Sequence, residues 1–303
     1  MDAPAPEVRH LPVLPAEVLE ALAPAPGQTI VDATVGAGGH ALLLADRIGR
    51  EGRLIGLDRD PSMLERARQR LVAAPCTVTL VHASFERLRE VLGEQQVAAA
   101  DGVLADLGIS SDQLDAAERG FSFQQSGPLD MRMDPDEGEP VANLLRRLGE
   151  RELADLIFRY GEERFSRRIA RRIVEMRRQT PLTTTEQLAE LVRRCVPRPK
   201  GRRHTIDPAT RVFQALRIAV NDEMGTLERF LAALPRCLRP GGRAAVISFH
   251  SLEDRQVKQA FRMRELWEVL TRKPVQAGAE EVRDNPRSRS AKLRAARRKG
   301  EPG

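Results

Sequence analysis

The sequence predicts an α/β fold in which a mostly parallel sheet is interrupted by a helical insertion. Two observations predict it. Short β-rich segments alternate with helical stretches over the first third of the chain, which is the pattern of βαβ units. A further β-rich segment appears only after a long block whose apolar residues recur with helical spacing.

Five segments are predicted to be strands. They are residues 29–33, 53–57, 77–81, 102–105 and 243–249. Residues 238–242, which end in two glycines, read as a helix-ending turn ahead of the last strand. We therefore predict a discontinuous Rossmann-like domain, residues 1–112 and 210–303, and a helical insertion, residues 113–209, that recognises the substrate.

The insertion contains an amphipathic helix with a basic surface. Phe165, Ile169 and Ile173 recur every four residues and so share one face. Arginines occupy the rest of this segment: Arg167, Arg168, Arg171, Arg172, Arg177 and Arg178. Such a run is usually a solvated surface, although it would also suit phosphate contacts with a nucleic acid.

Polar residues mark where the next two helices begin. Thr183 and Glu186 fit a capping box, and Asp207 with Pro208 predicts a cap followed by a first-turn proline. Between them, residues 197–203 form a basic linker rich in helix breakers. This linker is a second candidate for phosphate contacts.

The tail, residues 285–303, is strongly basic and allows two interpretations. Either it is a disordered arm, or residues 291–295 add an edge strand to the sheet.

Composition narrows the class of protein. No apolar run approaches the roughly 18 residues of a membrane span, and the first residues lack the pattern of a signal peptide, so we expect a cytoplasmic protein with no membrane partner. Cys76, Cys195 and Cys237 form no CxxC pair, and the five histidines are scattered, so we expect no metal. The formal net charge of +6 favours an anionic partner, unless the arginine content reflects genome composition.

A glycine-rich loop follows the first predicted strand and opens a helix. Gly36, Gly38 and Gly39 allow a tight turn and close approach of a ligand. Asp58 ends the second strand about 20 residues later, where an acid can accept hydrogen bonds from ribose hydroxyls. Together these residues predict a nucleoside-binding crevice, although Gly36-x-Gly38-x-x-Ala41 also satisfies the dinucleotide fingerprint.

Two further features favour S-adenosylmethionine over a nicotinamide cofactor. Asp106 ends the fourth strand, and its carboxylate would suit a sulfonium cation but not a pyrophosphate. Ser84 and Phe85 end the third strand, where an adenine could pack. The alternatives are that Phe85 is a core residue and that Asp106 only caps the following turn.

Longer motifs resemble those of one family, the MraW/RsmH methyltransferases. They lie at residues 10–14 (HLPVL), 36–40 (GAGGH), 57–61 (LDRDP), 105–111 (ADLGISS), 118–123 (ERGFSF), 128–134 (PLDMRMD), 160–164 (YGEER), 208–211 (PATR), 214–218 (QALRI) and 248–255 (SFHSLEDR). The resemblance covers nearly the whole chain. It implies methylation of the exocyclic N4 of a cytosine in the decoding region of 16S ribosomal RNA.

The resemblance also implies a cofactor site and a partner. The implied S-adenosylmethionine-binding residues are Gly38, Gly39, His40, Asp58, Phe85, Asp106 and Gln113. The insertion, starting near Gln113, is then expected to shape the RNA site, with the assembled small ribosomal subunit as partner. Naked RNA as the substrate, and homodimerisation, stay open at this point.

One departure from other amino-methyltransferases bears on the mechanism. Many of them carry an acid or amide followed by two prolines and an aromatic residue, whereas Leu107, Gly108 and Ile109 follow Asp106 here. No aromatic residue in that turn can stack on the target base. Phe121 and Phe123 could do so instead, or could form a hydrophobic latch.

We expect direct in-line methyl transfer, with proximity supplying much of the acceleration. Asp106 is the first candidate for accepting the proton of the amine, and a backbone carbonyl after it is an alternative. His250 is the second side-chain candidate, although a lone histidine after a strand more often has a structural role. Three competing classes remain: a nicotinamide-dependent oxidoreductase, a non-catalytic ribosome-assembly factor, and a DNA cytosine-N4 methyltransferase.

Overall fold

The structure is a computed structural model that describes residues 11–197 and 207–300. It divides into two compact units, one made of Met1–Gly108 and Gly225–Gly303 and the other of Ile109–Met224. His10 of the first motif and residues 198–203 of the basic linker lie outside the described residues. Within the described ranges, no helix is long and apolar enough to cross a membrane.

The first unit is built on a seven-stranded sheet. Its strands are β1 (Thr29–Asp32), β2 (Arg53–Asp58), β3 (Thr77–His82), β4 (Ala100–Asp106), β5 (Leu238–Ser248), β6 (Trp267–Val269) and β7 (Lys292–Arg298). They lie in the order β3-β2-β1-β4-β5-β7-β6. The five strands from β3 to β5 pair in parallel, and β7 and β6 add antiparallel pairs. The predicted mostly parallel α/β sheet is confirmed, as are all five predicted strands.

Helices connect these strands. They are α1 (Pro15–Leu22), α2 (Gly39–Ile48), α3 (Pro61–Arg70), α4 (Leu88–Glu94), α12 (Ser251–Phe261) and α13 (Ala279–Asp284), with short 3-10 turns at Phe85–Arg87 and Pro286–Ser290. Leu44 and Ile48 of α2 are fully buried and belong to one apolar cluster with Ile30 and Leu54 of the strands. Burial of this helix face fixes the start of α2 beside the end of β1.

Residues 238–242, which were predicted to form a turn ahead of the strand, belong to β5 itself. Leu238 pairs with Ala100 and Arg243 pairs with Gly102, so residues 239–242 bulge out opposite Asp101. Gly241 has φ +82°, which favours glycine. The bulge explains why the strand extends further back than the pattern predicted.

The basic tail is part of the sheet. β7 pairs with β5 on one side and β6 on the other, so it is an internal strand. The disordered-arm interpretation is therefore wrong, and the edge-strand interpretation is wrong about the position. Leu293 and Ala295 of β7 are fully buried, so this basic segment has one apolar face. The face is hard to recognise in the sequence because its residues alternate with arginine.

The second unit is helical in its described part. Its helices are α5 (Ser111–Asp115), α6 (Val141–Arg147), α7 (Glu150–Gly161), α8 (Ser166–Arg177), α9 (Thr185–Cys195) and α10 (Pro208–Val220). The first residues of α11 (Glu223–Cys237) also belong to it. Ile169 and Ile173 of α8 are fully buried, and Phe165 packs against the same cluster, as their spacing predicted.

The N-termini of α9 and α10 can be compared with the predicted helix caps. Asp207 caps α10 by accepting a hydrogen bond from the amide of Ala209 at 2.9 Å, as predicted. The capping box of α9 is formed by Thr184 and Gln187, so the predicted pair was wrong by one residue. A run of three threonines offers several hydroxyls, and Gln187 also accepts from the amide of Thr183.

The boundary of the helical unit also differs from the predicted one. The unit runs from Ile109 to Met224 and includes α10, which we had placed with the sheet. Val212, Phe213 and Leu216 of α10 are buried in the same cluster as Leu153 and Ile157 of α7. The tertiary partner of an amphipathic helix cannot be read from its own periodicity.

The pairing of β7 yields a stability prediction. Leu293→Ala should lower the free energy of unfolding by about 2–4 kcal/mol, because it removes a fully buried side chain from the sheet core. Urea unfolding measures this, with Val72→Ala as the control, since Val72 is 86% exposed. A loss for Leu293→Ala no larger than that of the control would show that β7 does not pack as described.

Candidate active site

Three carboxylates lie at the same edge of the parallel sheet. Asp32, Asp58 and Asp106 each end a strand, respectively β1, β2 and β4. The strand order reverses between β1 and β4, and in such sheets ligands bind at the carboxyl ends of the strands where the order reverses. The sheet therefore places Asp32 and Asp106 on either side of the expected binding crevice.

Asp58 forms hydrogen bonds with the loop after β1 and with the turn after β2. Its Oδ2 accepts a hydrogen bond from the amide of Gly36 at 2.8 Å, and its Oδ1 accepts from the amide of Asp60 at 2.9 Å. Asp60 in turn caps α3 by accepting from the amide of Ser62. Desolvation raises the pKa of Asp58 to about 6, while these two amides act in the opposite direction. The predicted acid thus holds the shape of the glycine loop.

The glycine loop needs its glycines for backbone reasons. Gly38 has φ +81° and precedes α2, and a Cβ there would lie 3.4 Å from Cα of Ala67. At Gly39 a Cβ would lie 3.4 Å from Cβ of Pro12. The loop is therefore packed against α3 on one side and the N-terminal segment on the other.

His40 and Asp106 meet beside this loop. Nε2 of His40 lies 3.8 Å from Oδ2 of Asp106, and the imidazole is 6% exposed. Burial lowers the pKa of His40 to about 4, so the ring is neutral at pH 7. Burial also raises the pKa of Asp106 to about 7, against the effect of the Arg287 guanidinium.

Polar atoms at this edge lack protein partners within the described residues. Nε2 of His40, Oδ1 of Asp106 and Oγ of Ser84 are buried and have no hydrogen-bond partner there. Buried polar groups in folded proteins are nearly always paired, so a cluster of unpaired ones indicates a ligand with complementary groups. The donors and acceptors fit a polar, cationic nucleoside cofactor.

Phe85 lies where the sequence placed it, directly after β3. Its ring is half-buried and packs edge-to-face on Phe230 of α11, with 5.1 Å between ring centroids. One edge of the ring is thus anchored, while part of its surface stays accessible. Core packing and adenine contact are compatible at this position.

Asp32 is a site residue that sequence reasoning missed. It is 1% exposed, and desolvation raises its pKa to about 8, with the charges of Asp106 and Asp58 acting in the same direction. Next to it, Thr34 accepts the amide hydrogen of Asp106 on its hydroxyl at 2.6 Å. The available signal in the sequence was that three of the predicted strands have an aspartate within one residue of their C-terminal end.

Two predicted site residues have capping roles. His250 is the N-cap of α12, where Nδ1 accepts from the amide of Glu253 at 3.4 Å and Oε1 of Glu253 lies 3.2 Å from Nε2. Gln113, which belongs to the helical unit, accepts from the amide of Ser110 at 2.9 Å in the capping box of α5. The structure gives both residues a local structural role.

The aromatic candidates of the helical unit are packed. Phe121 is 6% exposed, with the guanidinium of Arg119 over its ring. Phe123 packs edge-to-face on Phe213, with 4.9 Å between centroids. These contacts support the hydrophobic-latch interpretation over base stacking.

The sheet is parallel with a reversal of strand order, a glycine loop follows its first strand, and acids end the strands. These features define the class of Rossmann-like enzymes that bind a nucleoside cofactor. Comparison with known proteins narrows the class. The model of the MraW methylase family matches residues 7–299. The chain therefore belongs to the MraW methylase family, and it is an S-adenosylmethionine-dependent methyltransferase.

Individual relatives are similar over almost their full length. A protein of Sorangium cellulosum named ribosomal RNA small subunit methyltransferase H is 54% identical, with 96% of this chain and 91% of the relative covered. A protein of the same name from Symbiobacterium thermophilum is 50% identical over 94% of this chain and 95% of the relative.

Solved structures are more distant. An rRNA methylase from Streptococcus thermophilus aligns with a TM-score of 0.45 and 10% identity, covering 94% of each chain. Fibrillarin from Aeropyrum pernix, solved with bound S-adenosylmethionine, aligns with a TM-score of 0.40 and 11% identity, covering 92% of this chain and 74% of its own. The family assignment rests on the sequence matches.

The glycine loop yields a prediction with a matched control. Gly38→Ala should lower stability by about 1 kcal/mol, because alanine is disfavoured at φ +81°, and should weaken S-adenosylmethionine binding several-fold, because the backbone of the loop shifts to relieve that strain. Gly49→Ala, at the other end of α2, has φ +64° and no atom within 4 Å of the added Cβ. It should cost at least as much stability, because φ 64° with ψ −168° is a conformation that glycine almost alone adopts, and it should leave cofactor affinity unchanged. Calorimetric titration and urea unfolding measure both quantities; equal cofactor affinities for the two variants would contradict the prediction.

The pKa of Asp106 predicts how cofactor affinity depends on pH. A cationic cofactor favours the ionised carboxylate, whereas below pH 7 the free protein carries a proton there that must leave on binding. Affinity for S-adenosylmethionine should therefore fall about tenfold from pH 8 to pH 6. In Asp106→Asn the slope should become smaller, and the part that remains belongs to Asp32 and Asp58, whose pKa values are also raised. The same slope in wild type and variant would assign the titration to another group.

Proposed function

We propose that this enzyme transfers a methyl group to the exocyclic N4 of a cytosine in the decoding region of 16S ribosomal RNA, within the assembled small subunit. The observation that carries this proposal is Asp106, a partly buried carboxyl group at the point where the strand order reverses, whose Oδ1 has no hydrogen-bond partner in residues 11–197 and 207–300. An amino group has hydrogens to donate to such an acceptor. The names of the relatives support ribosomal RNA as the substrate class.

The cofactor is assigned to the edge of the sheet. Gly38 and Gly39 let the backbone approach the cofactor closely. The carboxylate of Asp58 accepts one hydrogen bond each from the amides of Gly36 and Asp60, and its remaining lone pairs would accept hydrogen bonds from the ribose hydroxyls. Phe85 would pack on the adenine, with Ser84 beside it. His40 is a neutral partner for a polar group of the cofactor.

Gln113 completes the proposed cofactor residues. Its Oε1 accepts a hydrogen bond from the amide of Ser110 at 2.9 Å in the cap of α5. We assign the helical unit, residues 109–224, to recognition of the RNA substrate, because the arginines of α8 concentrate on one helix the positive charge that phosphates require.

When bound, S-adenosylmethionine supplies an electrophilic methyl group on a sulfonium. The chain must hold the target amine in line and receive its proton, because the amine lone pair is delocalised into the cytosine ring. Asp106 serves both needs: its pKa of about 7 leaves it able to accept a proton near neutral pH. His250 is less suited, since both of its ring nitrogens face Glu253.

Two competing classes make different predictions. A DNA cytosine-N4 methyltransferase would label duplex DNA, and an assembly factor would bind the subunit without turnover. We place the reaction in the cytoplasm, where bacterial ribosomal subunits are assembled, and we expect no membrane partner. The same acid at β4 would serve the DNA enzyme, so the substrate must be tested directly.

The decisive assay uses methyl-labelled S-adenosylmethionine and small subunits that lack the modification. We expect label in N4-methylcytidine after digestion of the RNA, and none in duplex DNA. Naked 16S RNA should accept less label than assembled subunits. Absence of label despite demonstrated cofactor binding would favour the assembly-factor class.

Asp106→Asn separates two roles of the same carboxylate. At saturating cofactor, a catalytic acceptor predicts a loss of about 10²-fold or more in turnover. Turnover that is retained while only cofactor affinity falls would exclude the proton-accepting role and leave the backbone carbonyl after Asp106 as the acceptor.

A further inference from the structure

An open groove runs between α8 and α9 in the helical unit. It has a volume of about 550 Å³, and arginines from both helices line it. Arg168, Arg171 and Arg172 come from α8, and Arg194 comes from α9. Its position on the outer surface follows from helix periodicity, because Ile169 and Ile173 on the other face of α8 are fully buried.

The floor of the groove is apolar and its rim is charged. Met176, Leu191 and Cys195 lie at the bottom, where Leu191 and Cys195 are buried. Gln179 and Gln187 add uncharged hydrogen-bonding groups. A ligand in this groove would meet guanidinium groups along its sides and little negative charge beneath it.

Two ion pairs of the groove each lie within a single helix. Arg172 pairs with Glu175 at 3.1 Å on α8, and Arg194 pairs with Glu190 at 3.0 Å on α9. Both pairs are solvent-exposed, and such pairs contribute little stability, so their arginines can exchange partners at low cost.

Positive charge is therefore not neutralised across the groove. Arg171 pairs outward with Glu150 of α7 at 3.4 Å, and Arg168 has no ion pair among the residues that the structure describes. Within that part of the chain no ion pair joins α8 to α9.

We propose that this α8–α9 groove binds the phosphodiester backbone of the RNA substrate. The inference rests on the proposed function. Arginine's planar fork matches a phosphate in two hydrogen bonds, and walls that are positive on both sides suit a strand whose phosphates follow one another. Backbone contacts position the RNA without reading its sequence.

Removal of arginines from both walls provides the first test. Arg168→Ala combined with Arg194→Ala should weaken binding of a fluorescent decoding-region RNA about tenfold at physiological salt, and should lower the slope of log affinity against log salt by roughly 0.7 for each lost phosphate contact. Affinity for S-adenosylmethionine should not change. In methylation assays KM for RNA should rise while kcat is retained.

A matched control keeps the net charge equal. Arg146→Ala combined with Arg151→Ala removes two exposed arginines of the same unit that do not line the groove. We expect a smaller loss of affinity and a wild-type salt slope. Equal effects of the two double variants would overturn the groove as a specific contact and leave only a general effect of charge.

A second test predicts a gain. Glu190→Gln frees Arg194, and Glu175→Gln frees Arg172, so each should tighten RNA binding several-fold beyond the control Glu186→Gln, which makes the same change of charge on α9 outside the groove. A purely structural role of the arginines would not produce this gain. No difference from the control would overturn the proposal.

The outcomes separate the groove from the proposed function. If wild-type protein shows no salt-dependent RNA binding and methylates no RNA, the proposed function fails. If wild type binds and methylates RNA while the groove variants match their controls, only the groove assignment fails.

Discussion

Burial of carboxylates at the ends of parallel strands is the constraint on which the site depends. Asp32, Asp58 and Asp106 share one edge of the sheet because β1, β2 and β4 run in the same direction. Desolvation raises the pKa of each, so the edge resists carrying three negative charges at once. A cationic ligand relieves this cost, which is a physical reason for a sulfonium cofactor at this edge.

The same constraint explains the loop geometry. Asp58 is stabilised by backbone amides of Gly36 and Asp60, so the loop after β1 and the start of α3 are fixed by one side chain. Thr34 orients the amide of Asp106 through its hydroxyl. These acids therefore also fix the backbone around them. A substitution of one is expected to alter the positions of the others, because the loop between β1 and α2 contacts both Asp58 and Asp106.

Much of this arrangement could be predicted from the sequence, because it is local. Strands β1 to β5 and the cap at Asp207 follow from patterns over a few residues. The position of β7 could not be predicted, since pairing between β5 and β6 is decided by distant partners. The role of Asp32 also depends on its neighbours across the sheet, and the capping role of His250 on a buried glutamate three residues later.

The helical unit is one continuous stretch of chain, Ile109–Met224, inserted between β4 and β5. During synthesis by the ribosome, this stretch emerges complete before the partner strand of β4 exists. Its helices can therefore pack first, since their contacts are close in sequence. The side of β4 that later pairs with β5 is still unpaired at that stage. The helical unit is thus expected to form in the nascent chain before the sheet is complete.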